Sequence, residues 1–170
     1  MASTHWPVNL IPHGLSPTQE GYLMFLYAFG FMVLVIATHG FLLLSLVLRL
    51  FKNKKLLNLQ HPFRLKLMFV LVIMLILFLH FIEIQSWALF VWMSHYYRGF
   101  LSSVYFAGLA YSTLGLYGET RYEQWQQALP LMIAFSGMFC TGLSGSMLFT
   151  LLMSALQGAR QVASDASAEV

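Results

Sequence analysis

Charge is scarce in this chain. Only 9% of its 170 residues are charged, nine Lys and Arg against six Asp and Glu, while 59% are hydrophobic. Soluble globular domains carry about a quarter of their residues as charges, so a wholly soluble fold is excluded and an integral membrane protein is expected. Cysteine is nearly absent as well, since Cys140 stands alone within an apolar run. One thiol cannot build a disulfide framework within the chain or a cysteine metal cluster, and Cys140 reads as packing. Acidic residues are missing from the apolar runs except for Glu83. Apart from Glu83 and His80, those runs hold no combination of acid, His and Cys that suggests chemistry. No catalytic residue, resident cofactor or metal site is therefore expected, and a membrane enzyme is disfavoured.

What the chain does have is length in its apolar runs. They cover residues 22–50, 65 to about 92, and 128–156, with residues 67–79 apolar without a break. A spanning helix needs about 20 such residues, so each run can cross. The expected fold class is all-α, with three transmembrane helices and a shorter re-entrant helix and loop between the second and third. Residues 1–21 contain three prolines and no Lys or Arg, unlike the charged start of a cleaved signal peptide; they are expected to remain as an extracytoplasmic tail. The next division, 22–64, holds the first span and a basic loop, and 157–170 forms a second tail.

Orientation follows from where the few cations sit. Arg49, Lys52, Lys54, Lys55, Arg64 and Lys66, six of the nine, flank or fill the link between the first two runs. Short loops rich in Lys and Arg stay cytoplasmic, which puts the N-terminus outside and the C-terminal tail, with Arg160, inside a plasma (inner) membrane. A basic cluster also suits nucleic acid or lipid headgroups. Topology accounts for it best, with anionic lipid contacts as a side effect and no nucleic-acid partner. Trp87, Trp92, Tyr96 and Tyr97 gather where the second span should meet the outer interface, as an aromatic belt does.

Residues 100–111 form an apolar segment of about 12 residues, too short to cross and of re-entrant length. Entering from outside as a helix, it would turn its partially negative C-terminus inward, which favours a cation there. Non-helical backbone at such depth survives only when buried in protein or lining water, so the sequence Thr113, Leu114, Gly115, Leu116, Tyr117, Gly118 needs a protected, hydrated axis that several copies of the chain would supply. Gly115 and Gly118 adopt at little cost the dihedrals that aim successive carbonyls to one side, and a carbonyl ring can replace an ion's water shell. The same two glycines also suit a plain turn before the next helix, and spacing alone leaves both open.

Four stretches carry a resemblance: His80-Phe81-Ile82-Glu83-Ile84, Trp87-Ala88-Leu89-Phe90, Val104-Tyr105-Phe106-Ala107 and Tyr111-Ser112-Thr113-Leu114-Gly115. From about residue 80 to 152, a little under half of the chain, the sequence resembles the small bacterial members of the potassium-channel-like superfamily. The resemblance implies a pore module over residues 65–156 (outer helix, pore helix, filter, inner helix), a homotetramer, and monovalent cations as the permeant species, K+ foremost. It makes Thr113 to Gly118 the selectivity filter and Glu119 an outer-mouth charge. Relatives usually read Thr-Leu-Gly-Tyr-Gly-Asp, whereas here Leu116 is inserted and Glu119 replaces the aspartate. A bulge at Leu116 would preserve four carbonyl rings; otherwise one ring is lost and the pore becomes less selective or non-conducting. The alternative function is a non-conducting accessory or assembly subunit that keeps the pore-module fold.

Glu83 lies one helical turn after His80 on the same face. At about 1.5 Å per residue, His80 falls roughly 21 Å beyond Lys66, and ionisable groups at such depth face protein or a cavity. Both are read as filter support, Glu83 accepting hydrogen bonds from backbone or hydroxyls behind the loop. His39, at comparable depth in the first run, could approach the pair and reads as a packed residue. In the third run Ser136, Cys140 and Ser144 form one line of small residues and Gly137, Thr141 and Gly145 the next, patterns that let helices approach closely. Gly137 and Gly142 are the hinge candidates, and Pro130 is expected in that helix's first turn, where its missing N–H costs little.

Overall fold

The computed structural model describes residues 17–52, 62–97, 99–114 and 124–168. Among the described residues four α-helices follow one another: α1 (Pro17–Lys52), α2 (Pro62–Met93), α3 (Phe100–Tyr111) and α4 (Gln124–Ala168). Among the described residues there is no strand.

Local chemistry sets several of the helix ends. Pro17 and Pro62 open α1 and α2, the position where proline's fixed φ suits a helix and its missing N–H costs nothing. α1 thus starts before the apolar run does, and its Glu20 and its Arg49 and Lys52 complement the helix dipole at the two ends. Pro130 is the seventh residue of α4, Gln124 being the first. The expectation of a first-turn proline is corrected, because the polar residues before the apolar run are already helical and bring the helix start forward.

Among the described residues three stretches are long and apolar enough to cross a membrane: Gln19–Leu50, Lys66–Met93 and Ala128–Gln157, of 32, 28 and 30 residues. At 1.5 Å per residue each exceeds roughly 40 Å, more than the hydrocarbon core requires. Only 17% of the most apolar window of the first and of the second, and 22% of the third, is buried within the chain. A helix apolar all round with so little burial suits lipid or further protein as its surroundings. The protein is membrane-embedded in character.

The chain forms two compact units. One comprises Thr38–Leu79 with Cys140–Val170. Its core joins Leu43 and Leu50 of α1, Val72 and Ile76 of α2, and Met147 and Leu151 of α4. The spacings of seven, four and four put each pair on one helix face. Buried His39 lies with Nε2 3.0 Å from Ser144 Oγ in the same unit. The other unit comprises Met1–Ala37 with His80–Phe139 and holds α3. Its core includes Trp87, Val91, Phe106, Leu129 and Ile133, and the Phe31 ring meets Trp87 edge-on at 4.9 Å and stacks on Phe90 at 5.0 Å.

Candidate functional site

α3 is 12 residues long and lies between two membrane-length helices. Ser103, Phe106, Ala107, Ala110 and Tyr111 are its buried residues, a three–four alternation that marks one face. The other face is open: Leu101 is 82% and Tyr105 70% exposed.

Both α2 and α3 end in the same backbone device. After α2, Tyr96 N–H donates to the Val91 carbonyl and His95 N–H to that of Trp92; after α3, Leu114 N–H donates to Leu109 and Thr113 N–H to Ala110. This is the Schellman pattern, which calls for a left-handed residue, usually glycine, just past the helix. Here those residues are His95, with φ 51°, and Thr113, with φ 59°. Each is preceded by a serine whose hydroxyl donates back to the helix, Ser94 to Phe90 at 2.8 Å and Ser112 to Gly108 at 2.8 Å. Histidine is among the residues that tolerate this region, while a β-branched threonine there is a genuine outlier. Tyr96, Tyr97 and Phe106 pack ring on ring at 4.8 to 5.2 Å and tie the connecting turn to α3.

The end of α3 is held by α2. Tyr111 Oη donates to Glu83 Oε2 at 2.5 Å, and His80 Nδ1 lies 2.7 Å from the same Oη. A phenol has one proton. With that proton committed to Glu83, His80 must offer its Nδ1–H to Oη, a tautomer assigned from the network. His80 Nδ1 is also 3.4 Å from Glu83 Oε2. Glu83 and Tyr111 are both buried, where each isolated polar group would cost about 1–3 kcal/mol. Among the described residues no buried side-chain nitrogen or oxygen lacks a partner.

α4 holds the same end from another side. A Cβ added at Gly137 would overlap the Tyr111 carbonyl oxygen and lie 3.0 Å from its carbonyl carbon, so only glycine fits. One residue earlier, Ser136 Oγ accepts the Trp87 indole N–H at 2.8 Å and donates to the Ile133 carbonyl. Trp87 is fully buried. The expectation that it belongs to an interfacial belt is therefore corrected: its N–H is satisfied by a serine on α4 instead of by interfacial water.

Of the residues singled out from sequence, Thr113 and Leu114 come just after the Ser112 cap of α3 and are exposed, Leu114 by 71%. Gly115, Leu116, Tyr117, Gly118 and Glu119 lie outside the described residues. His80 and Glu83 meet on Tyr111. Gly137 meets the Tyr111 carbonyl, whereas a Cβ at Gly142 would have nothing within 4 Å. Ser136, Cys140 and Ser144 are all buried, and Thr141 and Gly145 are exposed. Sequence reasoning missed Tyr111 as the hydroxyl that reaches Glu83. The signal was present, because a tyrosine ending an apolar segment needs a partner for its hydroxyl and Glu83 is the one acid within the apolar runs. No family model, curated protein or solved structure matches the chain.

Proposed function

We propose that four copies of the chain form a cation channel of potassium-channel type. In this reading α3 is a pore helix that enters and stops, residues 113–118 are the ion-coordinating loop, and α2 and α4 are the outer and inner helices. The observation that carries it is the construction at the end of α3. A helix too short to cross has its last residue, Tyr111, fixed to a buried carboxylate on one neighbour and to a glycine backbone on the other, and a strained threonine stands two residues beyond it. Strain of this kind persists where the surroundings over-determine the backbone, and it concentrates at ligand-binding positions.

The chemistry follows from that arrangement. The C-terminal end of α3 carries partial negative charge, which favours a cation over an anion. Carbonyl groups of the loop replace the ion's water shell, and the Thr113 hydroxyl adds a ring of oxygens at the inner end. Glu119 contributes negative charge at the outer mouth. Exposed Ser112, Thr113 and Leu114 gain a hydrated, protected axis only from further copies. The exposed face of α3 then packs against a neighbouring copy. The basic link between α1 and α2 faces the cytoplasm and contacts anionic lipid, with the N-terminus outside.

Native mass spectrometry of the protein purified in detergent tests the assembly. Four chains per particle, with residues 112–118 at the shared axis, are expected. A monomer, or a heteromer that buries this segment against another protein, removes the channel reading and leaves an accessory subunit.

A further inference from the structure

Tyr111 is fixed at both of its ends. Its phenol is committed to Glu83 and His80 on α2, and its carbonyl oxygen fills the space where a side chain on Gly137 of α4 would start. The second contact is backbone against backbone, so no side-chain rotamer can absorb a shift of α4 there. Close-packed regions transmit such displacements because they have few voids to take them up. Beyond Tyr111 the chain is equally constrained: Ser112 donates to Gly108, Thr113 holds φ 59°, and Leu114 N–H returns to Leu109. Gly142, further along α4, meets nothing within 4 Å and is free of this coupling.

We propose that Tyr111 is a positioning residue that couples α4 to the loop after α3. A displacement of α4 at Gly137 moves the Tyr111 carbonyl, and with the phenol anchored on α2 the movement passes into residues 112–114. The inference rests on the reading of 113–118 as the ion-coordinating loop, and it assigns that loop a mechanical link to the inner helix.

A labelling experiment on the full chain tests it without requiring conduction. In a Cys140→Ser background, Leu114→Cys reports the loop through its rate of modification by a maleimide. Gly137→Ala is expected to change that rate by about fivefold or more, while Gly142→Ala leaves it unchanged. Tyr111→Phe, which keeps the carbonyl against Gly137 and loses only the hydroxyl, should alter the rate by itself and be non-additive with Gly137→Ala. An unchanged rate in Gly137→Ala, or strictly additive effects, overturns the coupling. Should Gly137→Ala yield no folded protein, the milder Tyr111→Phe decides, and an unchanged rate there overturns it equally. Cation flux is recorded on the same variants without the reporter cysteine. Coupling predicts a changed potassium-to-sodium permeability ratio in Gly137→Ala and the unmodified ratio in Gly142→Ala. Absence of flux in the unmodified protein removes the channel reading, and the labelling rates then decide the coupling alone.

Discussion

Trp87 and Ser136 stand 49 residues apart, yet the buried indole N–H of one donates to the hydroxyl of the other at 2.8 Å. Ser136 donates its own hydroxyl hydrogen bond to the Ile133 carbonyl, so both groups are satisfied inside apolar surroundings. Ser136→Ala leaves the indole donor without its partner, and a loss of about 1–3 kcal/mol in stability is expected. Adding Trp87→Phe should then cost less than the two single changes summed, since the pair is lost once. Thermal unfolding in detergent checks this, and strict additivity would show the contact to be energetically silent.

Glu83 is expected to be sensitive to loss of its oxygens more than of its charge. Glu83→Ala takes the acceptor away from the buried Tyr111 hydroxyl, at about 1–3 kcal/mol, and should weaken the assembly. Glu83→Gln keeps an acceptor for Tyr111 and should lie closer to the unmodified protein. Retention of the proposed tetramer on heating distinguishes them. An unaffected Glu83→Ala would show that this carboxylate does not brace the end of α3.

Thr113 offers a test of strain against function. Glycine adopts φ 59° freely, and a left-handed non-glycine residue costs about 1–3 kcal/mol, part of which glycine's extra unfolded-state entropy cancels. Thr113→Gly should therefore match or exceed the unmodified protein in thermal stability while discriminating less among cations. A variant that is destabilised and equally selective would show that the hydroxyl serves the fold alone.

Much of this was legible in the sequence, and the reasons are physical. Charge scarcity and run length located the three helices that are long and apolar enough to cross a membrane among the described residues, and the short apolar segment at 100–111 coincides with α3, because hydrophobic length is a local property. Glu83 and His80 stood out as ionisable residues among apolar ones. What was not legible depends on the approach of distant helices. Trp87 reads as interfacial until Ser136 is brought against it, and Gly137 reads as one more small residue until the Tyr111 carbonyl occupies its missing side chain. The strain at Thr113 has no sequence signal at all, since threonine is an unexpected residue for a left-handed position.

Leu116 is the expected source of weakened ion discrimination. In the proposed channel, an extra residue among the coordinating carbonyls would have to bulge away from the axis or change the number and spacing of the rings. Deleting Leu116 should sharpen potassium preference over sodium, as measured by permeability ratios in planar bilayers. An unchanged or lower ratio would show that the inserted residue lies outside the coordinating segment.

The central claim, a cation-conducting pore, is met most directly by reversal potentials of the purified protein in planar bilayers, first under a potassium chloride gradient and then with potassium opposed to sodium. The account predicts a reversal potential near that of the cation in the gradient and a potassium preference weaker than an uninterrupted filter gives. A reversal potential near that of chloride, or no conductance from a verified tetramer, would contradict it.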